Sequence, residues 1–164
     1  MTPTEPAGEP AGERRPGPGR PRHTGAGRSG REQILEAAAE LFVEQGFAAA
    51  STRAIAERVG IRQASLYYHF AGKDDVLEAL LDASVRPSLE VATGLLAAVE
   101  SGDADPAATL HALVRADVDT LLRTPHNVGT LYLLPEVQQP RYEEFRLARA
   151  ELRSAYARLG AAVA

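Results

Sequence analysis

Three hydrogen-bonding side chains, Arg62, Gln63 and Ser65, follow closely after Gly60 in a short polar stretch. Arginine can donate two parallel hydrogen bonds to guanine and glutamine can pair with adenine, so these residue types suit the reading of base edges in the DNA major groove. The alternative for Arg62 and Gln63 is an ordinary solvated helix face. The motif that surrounds them, described below, favours the base-reading interpretation.

A second group of side chains lies just beyond this stretch and can contact DNA phosphates, which accept hydrogen bonds from hydroxyl, imidazole and ammonium groups. The group comprises Tyr67, Tyr68, His69 and Lys73. For the two tyrosines, phosphate contact and packing in the core are about equally favoured. For the neighbouring Leu66 and Phe70, packing in the core is the favoured interpretation.

Other chemistries find little support in the residue types. The chain has no cysteine, which excludes disulfides, thiolate metal sites and cysteine catalysis. The four histidines are not spaced as metal ligands beside a carboxylate, and no glycine-rich phosphate loop or nucleophile elbow is present. The carboxylates near the C-terminus alternate with arginines and are explained by ion pairs along a solvated helix face (Glu143, Glu144, Glu151, Arg141, Arg146, Arg149). We therefore expect neither an enzyme nor a cofactor.

The polar stretch must be positioned by short helices with strong boundary signals. Ser29 and Glu32 have the spacing of a capping box, and Gly46 is expected to end the first helix as a left-handed C-cap. Ser51 or Thr52 caps a second helix that ends at Gly60. A third helix is predicted from about Arg62 to Phe70, and a fourth opens at Gly72.

The rest of the chain also reads as helical. Pro87 interrupts the fourth helical pattern, and because a proline inside a helix costs about 3 kcal/mol, we expect a kink or break there. Ser101–Asp105 is predicted to be a loop, and Asp105-Pro106 starts a helix that runs to about Arg123. A short helix is predicted from Thr124-Pro125, and Pro140 opens the last one. No segment alternates with the period of a strand, so the fold class is all-α.

The first 28 residues predict a disordered basic arm. Residues 1–31 contain 13 proline or glycine residues and six arginines against three glutamates, in a chain whose net charge is −4. Arg20 and Arg22 flank Pro21 in a stretch that resembles an AT-hook, in which arginine enters a narrow minor groove. Minor-groove contact and a solvated linker with diffuse phosphate attraction both remain open.

The pattern from about residue 30 to 81 resembles the TetR family of bacterial regulators. The resemblance rests on the following residues: Ile34-Leu35-Glu36-Ala37-Ala38, Leu41-Phe42, Gly46-Phe47, Ser51-Thr52, Ile55-Ala56, Val59-Gly60, Ser65-Leu66-Tyr67, His69-Phe70, Lys73 and Leu77. It implies a helix-turn-helix head over residues 29–75 and a helical regulatory and dimerisation domain over residues 76–164. It also implies a homodimer that binds an operator in double-stranded DNA and leaves it when a small molecule binds.

Further roles follow from the resemblance alone. Thr52 would cap its helix and bind a phosphate, with Arg53, Tyr67 and His69 near the backbone and Lys73 paired with a phosphate. Arg62 departs from the small capping residue common at its position, which suggests that it contacts DNA. The helical pattern continues to Ala164, so we expect the last dimerisation helix of the family to be truncated or absent.

The effector pocket is the least determined part of the sequence. The polar candidates are His111, His126, Asn127 and Tyr132. The alternative function is a ligand-independent DNA-binding architectural or accessory protein that lacks a usable pocket. Neither a secretory signal nor an apolar run of the roughly 20 residues needed to span a bilayer is evident, and we expect a cytoplasmic protein.

Overall fold

The structure is a computed structural model that describes residues 29–123 and 128–164. Every regular element in these two ranges is helical, which confirms the all-α prediction. The helices are α1 (Gly30–Gln45), α2 (Thr52–Val59), α3 (Gln63–His69), α4 (Lys73–Glu100), α5 (Pro106–Arg123) and α6 (Glu143–Val163). Short 3-10 turns cover Val128–Leu133, Pro135–Gln138 and Pro140–Tyr142. The predicted arm with Arg20 and Arg22, and the pocket candidates His126 and Asn127, lie outside the described residues.

Helix α1 begins with the predicted capping box. The Ser29 hydroxyl accepts from the Glu32 amide at 3.2 Å, and the Ser29 amide donates to the Glu32 carboxylate at 2.8 Å. At the other end of α1, Gly46 has φ 84° and ψ 154°. The positive φ agrees with the prediction, but the ψ value is extended, so the predicted left-handed helical conformation of this C-cap is wrong. The extended ψ turns the chain so that Phe47 packs edge-on against Phe42, with ring centroids 5.1 Å apart.

The turn between α2 and α3 follows the prediction closely. The Ser51 hydroxyl accepts from the Ala54 amide at 3.1 Å, so Ser51 is the cap and the capping role given to Thr52 is wrong. Gly60 adopts the left-handed conformation (φ 77°, ψ 26°), which a residue with a Cβ adopts only at a cost. Arg62 precedes the first residue of α3 and makes no side-chain cap, as its residue type indicated.

Helix α4 is one helix of 28 residues, so of the kink or break expected at Pro87 the break is wrong and the kink stays a prediction. Pro87 lacks the amide hydrogen that would bond to the carbonyl of Ala83. Both residues are exposed, so water can satisfy that carbonyl, while Val85 and Ser88 on the opposite face are buried. Because α4 is continuous, the predicted domain boundary after residue 75 falls inside its first turn and stays a prediction.

The C-terminal half packs α5 and α6 against the second part of α4, around buried Ala92, Leu113, Leu152 and Leu159. The Asp105 carboxylate accepts from the Ala108 amide at 2.8 Å, which confirms the predicted helix start at Pro106. Within the described ranges, no helix is both long and apolar enough to cross a membrane.

Candidate nucleic-acid interface

Helix α3 turns its polar residues outward. Arg62, Gln63 and Ser65 are all exposed, whereas Leu66 is completely buried among the residues of the head. Phe70 is also buried, so the core-packing interpretation of these two apolar residues is confirmed. The geometry that base reading requires is therefore present, and the individual base contacts stay predictions.

Three of the predicted DNA-contacting residues form one hydrogen-bonded cluster on this exposed face. The Gln63 Nε2 group donates to the Thr52 Oγ1 atom at 2.9 Å and to the Tyr67 hydroxyl at 3.3 Å. The two hydroxyl oxygens themselves lie 3.3 Å apart. Helices α2 and α3 thus meet at their outer surface through Thr52, Gln63 and Tyr67. The sequence predicted backbone contact for Thr52 and Tyr67 and base reading for Gln63, and gave no sign that the three are bonded to one another.

The aromatic residues at the end of α3 also face outward. Tyr67 is 50% exposed and Tyr68 is 87% exposed, so core packing does not account for Tyr68. The Tyr68 and His69 rings meet edge to face at 5.2 Å. His69 lies against the start of α1, where a Cβ on Gly30 would come within 3.3 Å of its Nε2 atom. Tyr68 and His69 therefore present polar groups beside the N-terminus of α1.

Lys73 is held by backbone oxygens of the turn between α1 and α2. Its ammonium donates to the carbonyls of Phe47 at 2.7 Å, Ala50 at 2.9 Å and Ala48 at 3.3 Å, and it lies 4.3 Å from the Phe47 ring centroid. All three donors of the ammonium are occupied, so this geometry does not favour the predicted phosphate pairing. Sequence reasoning missed the structural role, although a cation in the first turn of a helix opposes the helix dipole and is a signal that it serves another purpose.

Arg53 has a different environment. It pairs with Glu57 one turn later on α2, with Nε 2.9 Å from a carboxylate oxygen, and both side chains are largely exposed. The hydrogen bond that Arg53 donates to the Glu57 carboxylate raises the pKa of Arg53 above its usual value. An exposed pair of this kind contributes little to stability, so the guanidinium can exchange Glu57 for a phosphate.

An ion-pair cluster joins the head to the C-terminal half. The Arg141 guanidinium donates to Asp75 at 2.7 Å and to Glu78 at 3.1 Å, both on α4. The adjacent Tyr142 is completely buried and donates its hydroxyl to Asp74 at 3.1 Å. Burial, and then the hydrogen bond to Asp74, raise the pKa of Tyr142. We call Arg141, Tyr142, Asp74, Asp75 and Glu78 the α4 clamp.

These contacts show that the prediction of ion pairs along one helix face is wrong for the C-terminal arginines. Arg141 reaches across to α4, and Arg146 donates to the carbonyls of Val137 at 2.6 Å and Gln139 at 2.8 Å. Arg149 lies over the Tyr132 ring, 4.8 Å from its centroid. The charge pattern alone did not distinguish pairs along a helix from contacts with other elements.

Tyr132 is the pocket candidate that the structure places in a polar interior site. Its hydroxyl donates to the Ser84 hydroxyl at 2.7 Å, and burial raises its pKa. One turn further along α4, the buried Ser88 hydroxyl has no hydrogen-bond partner among the described residues. Tyr132 also lines a pocket of about 170 Å³ together with Phe145 and Arg149. His111, by contrast, is exposed on α5 and does not line that pocket.

Comparison with known proteins identifies a family of bacterial regulators over the helices described above. The family described as "Bacterial regulatory proteins, tetR family" matches residues 34–80. The HTH-type transcriptional repressor KstR2 of Rhodococcus jostii (strain RHA1) is 35% identical over 108 residues, which are 65% of this chain and 50% of that protein. The chain thus spans about half the length of this curated relative.

Solved structures give the same result over more of the chain. The crystal structure of Mycobacterium smegmatis AmtR is 54% identical, with a TM-score of 0.76, and the match covers 88% of this chain and 67% of that one. The ketosteroid transcriptional regulator KstR2 of Mycobacterium tuberculosis is 26% identical, with a TM-score of 0.66, and the match covers 84% of this chain and 69% of that one. The resemblance seen in the sequence is therefore confirmed, and the chain belongs to the TetR family of bacterial regulatory proteins.

Proposed function

We propose that this protein is a sequence-specific transcriptional regulator that represses genes by binding an operator in double-stranded DNA. The observation that carries the proposal is the outward face of α3, where Arg62, Gln63 and Ser65 stand exposed after the left-handed turn at Gly60. A helix projecting in this way fits the major groove, which is about 12 Å wide. The repressor and regulator names of the KstR2 relatives support the same function.

Within this proposal the residues take distinct roles. Arg62, Gln63 and Ser65 read bases. A second set contacts the sugar–phosphate backbone: Thr52, Arg53, Tyr67, Tyr68 and His69. Arg20 and Arg22 in the N-terminal arm enter the adjacent minor groove. Lys73 stabilises the turn between α1 and α2 through its hydrogen bonds to backbone carbonyls. The protein acts in the cytoplasm, where bacterial DNA lies.

The proposal includes a homodimer and a small-molecule effector that releases the operator. A dimer would place two α3 helices in successive major grooves, so the operator should have two inverted half-sites about one helical turn, or a multiple of it, apart. The hydrogen-bonded pair of Tyr132 and Ser84 is the best-supported effector site. One helical turn beyond Ser84 on α4, the buried Ser88 hydroxyl has no hydrogen-bond partner among the described residues, and such a group is costly unless a ligand or water satisfies it.

A second candidate function is ligand-independent DNA binding. It is favoured by the small size of the Tyr132 pocket, about 170 Å³, because sites for drug-sized ligands usually measure roughly 300–1,000 Å³. A titration in which a small molecule releases the protein from its operator would support the effector-controlled regulator over ligand-independent binding.

The experiment that tests the proposal is selection of duplexes from a random DNA pool with the purified protein, together with sedimentation of the complex. We expect enrichment of one inverted repeat and two protein chains per duplex. Recovery of random sequences after several rounds would contradict the proposed function.

A further inference from the structure

We infer that Gln63 reads its base only as a hydrogen-bond acceptor, so that the base opposite it is adenine or cytosine, recognised through its exocyclic amino group. The inference rests on the proposed function and deepens it, because it assigns a base class to one position of the operator. It differs from the two-bond glutamine–adenine contact that the residue type alone suggests.

The nitrogen of the Gln63 amide faces the two hydroxyls of the cluster, so its hydrogens are directed toward them and away from a base. An amide nitrogen carries two hydrogens, and Nε2 donates one to Thr52 at 2.9 Å and one to Tyr67 at 3.3 Å. The side chain is exposed, so the amide oxygen is the group left to meet a base edge. An amide oxygen has two lone pairs and can only accept.

The orientation of these hydrogen bonds also serves the phosphate contacts. Since the Thr52 and Tyr67 hydroxyls accept from Gln63, their own hydrogens are free, except that one of them can be shared across the 3.3 Å between the two oxygens. Phosphate oxygens can only accept, so they require such free hydrogens. The reversed amide would take the hydrogens of both hydroxyls and leave the phosphates without these donors. Chains of hydrogen bonds that run in one direction also strengthen one another.

The base class follows from the groups that each base presents in the major groove. Adenine presents its N7 acceptor and N6 amino donor, and cytosine presents its N4 amino donor. Guanine presents two acceptors there, and thymine presents an acceptor and a methyl group. A residue with no free donor therefore pairs with adenine or cytosine, and it makes no use of adenine N7.

The experiment compares operators selected by the wild-type protein and by Gln63→Ala, and locates the position at which the variant loses its preference. If that base is adenine, it is replaced either by 7-deazaadenine, which lacks the N7 acceptor, or by purine, which lacks the amino group. We expect 7-deazaadenine to bind within about twofold of adenine and purine to bind about five- to tenfold more weakly, as for the loss of one hydrogen bond. If the base is cytosine, the analogue without the amino group should weaken binding to a similar extent.

The Gln63→Ala protein is the control, since it should bind all of these duplexes equally and so remove any effect of the analogues on base pairing. Guanine or thymine at the position, an equal loss with 7-deazaadenine and purine, or no position altered by Gln63→Ala would overturn the inference while leaving the regulator proposal intact. Failure of the wild-type protein to select any sequence would overturn both.

The double variant Thr52→Val, Tyr67→Phe tests the cause of this restriction. Without the two hydroxyl acceptors, the Nε2 hydrogens are free to reach adenine N7 or guanine. We expect this variant to lose affinity for 7-deazaadenine relative to adenine, or to accept guanine at the position. An unchanged base preference would show that the cluster does not determine how Gln63 reads DNA.

Discussion

Lys73 illustrates how one residue can satisfy several backbone groups at once. In the turn between α1 and α2 the carbonyls of Phe47, Ala48 and Ala50 all face the Lys73 ammonium, which donates a hydrogen bond to each of them. Hydrogen bonds to a charged group contribute more than neutral ones, about 1.5–3 kcal/mol each, and a buried acceptor left unpaired is costly. The ammonium therefore helps to hold α2, and with it α3, at a fixed angle to α1.

The substitution Lys73→Met keeps the aliphatic stem over Phe47 but removes the donors. We expect the free energy of unfolding to fall by about 2–4 kcal/mol, which is less than three full bonds to a charged group would contribute, because one of the three bonds is exposed and the other two are only partly buried. The salt dependence of DNA binding should hardly change, because no phosphate contact is lost. Chemical denaturation and a salt titration of operator affinity would measure the two effects.

Arg53→Met is the matched control for Lys73→Met. Arg53 is exposed and, among the described residues, its ion pair is with Glu57 along α2. Its loss should leave the unfolding free energy nearly unchanged and reduce the salt slope by about 0.9, the value for one phosphate contact. If Lys73→Met behaves like this control, Lys73 binds phosphate and the structural role is wrong.

At the scale of elements, the continuous helix α4 connects the head to the C-terminal half. The helix begins in the head at Lys73 and packs against α5 and α6 along its second part. The α4 clamp fixes its first turns to the segment before α6, through Arg141 and Tyr142. A displacement of α6 would therefore be passed directly to the end of α4 that carries the head.

The variant Arg141→Met tests the clamp. Three carboxylates would be left close together, but Arg141 is partly exposed and solvent screens the repulsion, so we expect a loss of only about 1 kcal/mol in unfolding free energy. Operator affinity should fall several-fold because the head is held less firmly. Arg86→Met, which removes an exposed pair with Asp82 within α4 at 2.8 Å, should change neither quantity. Equal behaviour of the two variants in denaturation and DNA titration would contradict the role of the clamp.

Local signals at the element boundaries explain where prediction from sequence succeeded. The capping box at Ser29 and the turn at Gly60 depend on the conformation of a few neighbouring residues, so residue types alone predicted them. The break considered at Pro87 was the wrong alternative, because the freed carbonyl of Ala83 is exposed and water can satisfy it, which lowers the cost of the lost hydrogen bond. That depends on which face of α4 is buried, and burial is a property of the assembled fold.

At the scale of the whole molecule, the head was predicted in more detail than the C-terminal half. Family-specific residues are concentrated over residues 34–80, where the family match also lies. The candidate pocket was predicted from scattered polar residues, and only Tyr132 among the described candidates is placed in a polar interior site, whereas His111 is exposed. Contacts such as the hydrogen bond from Tyr132 to Ser84 join residues 48 positions apart in sequence, and no local pattern indicates them.

The charge distribution is a second property of the whole chain. The net charge of −4 argues against a DNA-binding protein if it is taken alone, yet residues 1–31 carry six arginines and only three glutamates. In the proposed function, cationic groups near α2 and α3 determine phosphate binding, and the acidic remainder contributes mainly long-range repulsion that salt screens. Total charge is therefore a weaker guide to function here than the position of each arginine.

The central claim is that the exposed residues at the start of α3 read the operator. The most direct test compares the wild-type protein with Arg62→Ala. The affinity of each is measured for the selected operator and for a scrambled duplex at the same salt concentration. A specific arginine–guanine contact contributes about 1–3 kcal/mol, so Arg62→Ala should weaken operator binding about ten- to hundredfold. Binding to the scrambled duplex should weaken no more than about threefold, as for a modest loss of general electrostatic attraction. An equal loss on both duplexes would contradict base reading by this face of α3.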